Sequence, residues 1–162
     1  DLGHGSQQVV FGGAGDDIVV TQVDKDGNQL ASSPDNSSFF AGDYAELIFD
    51  PAYGAMLRLL VEDDALAFAD RDLFTTGDGS VRAILGSGTD DLTHGDGLAH
   101  VLGDNGEMTT DPTSFILTRM ETLTSNPAAV KGGVDTWIGG NGEHLGIMGA
   151  AGDVVNLRDG AI

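Results

Sequence analysis

Near the start of the chain, Gly12-Gly13-Ala14-Gly15-Asp16-Asp17-Ile18-Val19-Val20 sets three glycines ahead of two carboxylates and an apolar triplet. Glycine accepts positive φ and lets backbone approach an ion closely. A short carboxylate just after such a turn adds a hard oxygen to the turn's carbonyls, the donor set that suits Ca²⁺. Other aspartates occupy related places. Asp90 or Asp91, and then Asp153, follow glycine turns as Asp16 and Asp17 do. Asp72 and Asp135 each stand two positions before an apolar residue, as Asp17 stands before Val19. Asp78 and Asp96 lie inside Gly-x-Gly turns, while Asp104, Asn105 and Asn141 are weaker candidates. An asparagine can ligate only through its carbonyl, and Asp in a Gly-rich turn often just caps backbone.

Those residues recur on a beat. Gly-x-Gly falls at Gly77/Gly79, Gly86/Gly88 and Gly95/Gly97, nine residues apart, and Gly140/Gly142 with Gly149/Ala151 repeats the step. Segments 3–18, 77–92 and 140–155 are three copies of one block. A second block, 40–62, aligns without a gap to 101–123, bringing together Gly42/Gly103, Asp43/Asp104, Glu46/Glu107, Asp50/Asp111 and Arg58/Arg119. Self-similarity of this kind predicts stacked units in which each buries its apolar side on the next. The expectation is one repeat-built domain over 1–162, with glycine-turn blocks at 3–18, 77–106 and 132–160, hairpin blocks at 40–62 and 101–123, and a polar loop at 20–38.

The nine-residue beat leaves three or four residues between turns, such as Val9–Phe11, Ala83–Leu85 and Gly146–Met148, too few for helices. Glu46–Asp50 and Ala55–Glu62 flank an Asp-Pro turn and predict an antiparallel hairpin. Ala65–Ala69 reads as a short helical turn. The fold class expected is all-β: parallel β-roll or β-solenoid coils with inserted antiparallel β-hairpins. Phe74 and Trp137, equivalent in the repeat, are expected in the core, and Tyr53 at an exposed hairpin tip.

The segment 12–20 matches G-G-x-G-x-D-x-U-x at every specified position. In this it resembles the RTX (repeats-in-toxin) calcium-binding repeat family, and the interleaved "VLGDNGE…DP" blocks are similar to those of large secreted bacterial repeat proteins. The full signature appears once; on the glycine beat, Gly146 and Ala14 replace expected pattern residues. The resemblance implies Ca²⁺ between successive turns, held by Asp16, Asp17, Asp72, Asp78, Asp90, Asp91, Asp96, Asp104, Asp135, Asn141 and Asp153. It also implies an extracellular or cell-surface location and a structural module of a bacterial surface or matrix protein. Such a module can associate head-to-tail with copies of itself into a filament. Alternatives are an adhesin-type module binding a glycan or cell surface, and the secretion-linked tail of a toxin or hydrolase.

Composition bears on the rest. The formal charge is −19, with 21 Asp against 5 Glu. Asp favours turns and caps where Glu favours helices. So much like charge destabilises a compact state unless it is neutralised, which leaves two readings open: a bound divalent cation, or a solvated acidic surface. Seven Lys plus Arg make nucleic acid and anionic membrane poor partners. No apolar run is long enough to span a membrane, and no cysteine is present to form a disulfide or thiolate site. The first residue is Asp1 and both ends fall within a repeat, which reads as a processed or excised piece. His4, His94, His100 and His144 lie in different repeat phases and read as separate surface histidines. No nucleophile elbow or P-loop is found, and no enzyme activity is expected.

Overall fold

The structure, a computed structural model, describes residues 7–20, 37–61, 70–114, 116–123 and 133–158. Within them the chain is all-β, with fourteen strands. They are β1 (Gln7–Phe11), β2 (Ile18–Val20), β3 (Ser37–Ala41), β4 (Ala45–Phe49), β5 (Met56–Val61), β6 (Leu73–Thr75) and β7 (Ser80–Ile84). There follow β8 (Asp91–Thr93), β9 (Ala99–Leu102), β10 (Gly106–Thr110), β11 (Leu117–Thr122), β12 (Thr136–Gly139), β13 (His144–Ile147) and β14 (Val154–Leu157).

These strands form three sheets. One is parallel in the order β1-β3-β7-β9-β13, a second is parallel in the order β2-β6-β8-β12-β14, and a third is antiparallel in the order β4-β5-β10-β11. Outside the hairpins, the chain alternates strand by strand between the two parallel sheets. The first parallel sheet is the middle layer, because both of its faces are covered. Phe40, Val81, Ala83, Leu85, Ala99 and Val101 pack against Phe74, Leu92 and Trp137 of the second, outer sheet. On its other face Phe39, Ala41, Ile84 and Leu102 pack against Met56, Leu59, Val61 and Met108 of the hairpin sheet. This double burial explains why β3 and β9 are buried at successive rather than alternate positions, Ser38 and His100 included.

The two hairpins pair with each other through β5 and β10, with Leu59 opposite Met108. Their self-alignment gave each a matching arginine. Arg58 bridges Glu46 of its own hairpin, at 2.6 Å, and Glu107 of the other, at 2.5 Å; Arg119 meets the same Glu107 at 2.9 Å. The turns are built alike: Asp50 Oδ1 accepts the Ala52 and Tyr53 N–H groups, and Asp111 Oδ1 accepts those of Thr113 and Ser114. Tyr53 at the tip is 78% exposed, and Phe74 and Trp137 are buried. Ser37 and Ser38, expected in the polar loop, belong to β3, where they pair with Ser80 and Val81 of β7. Val20, at the other end of that loop, closes β2; residues 21–36, and the expected helical turn at 65–69, lie outside the described residues.

Candidate functional site

Connections from the middle sheet to the outer one all run along one edge. Three are short glycine turns after β1, β7 and β13; the other two, after β3 and β9, carry the hairpins. The short turns share a backbone conformation, with positive φ at Gly13 and Gly15, at Gly86 and Gly88, and at Gly149 and Ala151. Main-chain bonds tie neighbouring turns together, Gly13 N–H to the Gly42 carbonyl at 2.7 Å and Gly86 N–H to the Gly103 carbonyl at 3.1 Å.

Each of these connections ends in an aspartate immediately before a strand of the outer sheet: Asp17, Asp72, Asp90, Asp135 and Asp153. Because the strands pair in register, the five stack as a column. Each carboxylate after the first accepts the backbone N–H of the preceding member. Asp17 donates to Asp72 Oδ1 at 3.0 Å, Asp72 to Asp90 at 2.8 Å, Asp90 to Asp135 at 3.0 Å and Asp135 to Asp153 at 3.1 Å. One oxygen is thereby used on Asp72, Asp90, Asp135 and Asp153. Oδ2 is buried without a hydrogen-bond partner on Asp17, Asp90 and Asp135. Two of these oxygens lie against glycines where the chain leaves the middle sheet: a Cβ added to Gly12 would lie 3.0 Å from Asp17 Oδ2, and one on Gly103 2.6 Å from Asp135 Oδ2.

Asp90 and Asp135 are fully buried, and Asp72 nearly so. Burial opposes their negative charge, and neighbouring aspartates add repulsion, so their pKa values rise to about 7 for Asp72, about 8 for Asp90 and about 7 for Asp135. An ionised carboxylate only accepts hydrogen bonds, and no donor reaches these oxygens, so a proton or a cation is what can satisfy them.

Where the hairpins leave the edge, a second pair of carboxylates does similar work. Asp43 Oδ2 accepts Ser87 N–H and Asp104 Oδ2 accepts Ala150 N–H, both at 2.6 Å. Asp104 Oδ1 remains buried and unpartnered, and burial raises the pKa of its carboxyl. Asp70 Oδ2 accepts Gly15 N–H at 2.9 Å in the same edge. Asp43 and Asp70 had not been singled out from sequence, although the self-alignment put Asp43 opposite Asp104.

The remaining candidates lie elsewhere. Asp16 and Asp91 point outward to Arg71: Asp16 Oδ1 accepts the Arg71 N–H at 2.9 Å, and Asp91 ion-pairs with the guanidinium. Asp78, Asp96 and Asn141 form a shorter column on the opposite edge. There Asp96 N–H donates to Asp78 Oδ1 at 2.8 Å, and Asn141 N–H to Asp96 Oδ1 at 2.7 Å. Those bonds from Asn141 hold the Asp96 carboxyl below its usual range. Asn105 donates through Nδ2 to Ser87 Oγ at 2.8 Å.

The histidines are a correction. His94 is 4% exposed and His100 is buried on β9, while His144 is half-buried with its ring centroid 5.2 Å from that of His94. The repeat phase hid this, because the residues meet across facing sheets rather than along the sequence.

Among the described residues, no three His, Cys, Asp or Glu side chains converge as a metal centre. That fits a column whose carboxylates stand one strand apart: any ion there would draw on main-chain carbonyls of the glycine turns for most of its shell. Comparison with known proteins found no matching family model, no matching curated protein and no matching solved structure.

Proposed function

We propose that this chain is a calcium-stabilised structural repeat module of an extracellular bacterial surface or matrix protein, its two parallel sheets wound as a β-roll of the RTX type. The observation that carries the reading is the row of buried carboxylate oxygens, on Asp17, Asp90, Asp104 and Asp135, that have no donor, with those of Asp17 and Asp135 set against Gly12 and Gly103. Carboxylate oxygens beside close-packed carbonyls are the hard donors that Ca²⁺ takes at 2.3–2.6 Å. Asp17, Asp72, Asp90, Asp104, Asp135 and Asp153 would supply the carboxylates on this edge, and Asp78, Asp96 and Asn141 the oxygens on the other. The bound ion supplies the positive charge that this buried row lacks. The aspartates themselves brace adjacent strands through their backbone hydrogen bonds, so ion binding and strand stacking become one event.

The test is circular dichroism and thermal melting with Ca²⁺ and with chelator. An ion that binds only the folded chain at a hundred times its Kd adds about 2.7 kcal/mol per site. The expected outcome is a rise in melting temperature with Ca²⁺ that chelator reverses and Mg²⁺ does not reproduce. Indifference to chelation would leave the acidic residues as solvated and self-bonded turn formers, and this reading would be wrong.

A further inference from the structure

The inner core ends, near the second turn edge, in a cluster of three rings that calcium chemistry does not use. His94 follows β8, Trp137 lies within β12 and His144 opens β13. Their ring centroids stand 5.2 Å apart for His94 and His144, 6.1 Å for His94 and Trp137, and 5.7 Å for Trp137 and His144. A neutral imidazole carries one donor and one acceptor nitrogen. Yet His94 Nδ1 and Nε2, His144 Nε2 and Trp137 Nε1 are all buried with no hydrogen-bond partner. Packing alone does not explain why two of those nitrogens aim at the same place. His94 Nε2 and His144 Nε2 lie 2.7 and 3.0 Å from the point where a Cβ on Gly139 would sit, and Leu157 Cδ2 closes over the same point at 2.8 Å. The absent side chain of Gly139 is what lets the two rings come this close.

We infer that His94 and His144 form a two-coordinate site for copper(I), bound between their Nε2 atoms beside Gly139 and Leu157. The ligand count selects the ion. Zn²⁺ wants four ligands and a divalent charge, and no third His, Cys, Asp or Glu joins the pair among the described residues. A monovalent soft ion is content with two neutral nitrogens and is less costly to bring into an apolar pocket. The imidazoles are in the form that binds: burial, and then the nearby His144, lower the His94 pKa to about 4, while the Gly95 backbone and Asp96 pull weakly the other way. Burial lowers that of His144 as well. The lost partners of Nε2 on both rings would then be made good by one ion, with His144, the more open of the two, as the entry side.

Trp137 is the chain's one tryptophan and stands against both rings, so its fluorescence reports the site directly. The experiment is an anaerobic titration of the calcium-loaded protein with copper(I), buffered by a chromophoric copper(I) chelator. Tryptophan emission and chelator absorbance are read together. We expect quenching that saturates at one equivalent. In His144→Gln, and separately in His94→Gln, affinity should fall at least a hundredfold with the circular dichroism spectrum unchanged. His100→Gln and His4→Gln should bind as the parent does. If His94→Gln fails to fold, the half-buried His144→Gln carries the test alone. Capture that is absent, or that persists in His144→Gln, overturns the site. Histidine-dependent capture of Zn²⁺ but not copper(I) overturns the choice of ion.

Discussion

At the scale of single residues, the aspartate column separates two tasks that one side chain performs. Oδ1 accepts a neighbouring strand's N–H, and Oδ2 is left over in a dry place. Asparagine can do the first and carries no charge for the second. Asp90→Asn is therefore expected to raise metal-free stability by about 1 kcal/mol, some 2–4 °C for a chain of this size, by removing a carboxyl that must take up a proton to be buried while keeping the acceptor. The same substitution should weaken Ca²⁺ binding about tenfold. Melting curves in chelator and in excess Ca²⁺ should thus move in opposite directions, and a variant less stable in both would contradict this account. The pH response has a fixed sign too. Asp72, Asp90 and Asp135 have folded-state pKa values raised to about 7, about 8 and about 7, so the metal-free fold binds more protons than the unfolded chain above the ordinary carboxylate range. Their contribution is complete below the unfolded value and is lost as pH rises through 7 to 8. His94, its pKa lowered to about 4, acts oppositely, but only as pH falls below about 6.5. In chelator the melting temperature should accordingly be higher at pH 6.5 than at pH 8.5, and excess Ca²⁺ should flatten or reverse the trend.

At the scale of elements, the turns are held by backbone conformation more than by side chains. Gly88 has φ of +146°, and a methyl group there would run into the Asp70 carbonyl oxygen. In the third copy of this turn the equivalent residue is Ala151, held at φ +95°. A left-handed conformation costs an L-residue about 1–2 kcal/mol, offset in part by the greater freedom glycine loses on folding. Ala151→Gly should therefore stabilise the chain by about 0.5 kcal/mol, whereas Gly88→Ala should cost several times as much, both measurable by denaturant titration. Sequence made the turn legible, since Gly149-Ala150-Ala151 falls on the nine-residue beat. It also exposed the hairpins, because Asp50 and Asp111 carry their own turn-forming bonds within three residues. What it did not expose were choices made by the face of a strand. Asp90 and Asp91 are neighbours in sequence, yet one enters the column and the other meets Arg71 in solvent. Gly146 looked like a defect in the pattern, but a side chain there would strike the Trp137 ring, so the large residue of the pair has moved to the adjacent strand. His94 and His144, fifty residues apart, meet only because the outer and middle sheets face each other across the core.

At the scale of the whole molecule, strand width explains why hairpins interrupt every second crossing from the middle sheet to the outer one. Strands in a sheet lie about 4.8 Å apart, so a two-stranded hairpin is as wide as two levels of a parallel stack. Hairpins leaving after β3 and after β9, two levels apart with β7 between, therefore meet edge to edge without a gap, which is what β5 and β10 do. The hairpin sheet covers the centre of the middle sheet and stops short of its outermost strands. Val9 and Phe11 on β1 are 42% and 44% exposed, and Leu145 and Ile147 on β13 are 50% and 40% exposed. A further copy stacked at either end would continue the two parallel sheets and cover the open edges of β1 and β13, while its hairpins, three levels from those of its neighbour, would leave one strand's width open in the hairpin sheet. Apolar side chains on unextended strands favour such addition. Head-to-tail association is therefore expected in Ca²⁺, seen as a sedimentation coefficient that rises with protein concentration. Phe11→Glu and Leu145→Glu, at opposite ends, should each suppress it, because one blocked end prevents growth in one direction and mixing the two leaves only a single compatible pair of ends. Equimolar mixing should then yield dimers and nothing longer, whereas a side-by-side contact would allow either variant to assemble freely or neither to assemble after mixing.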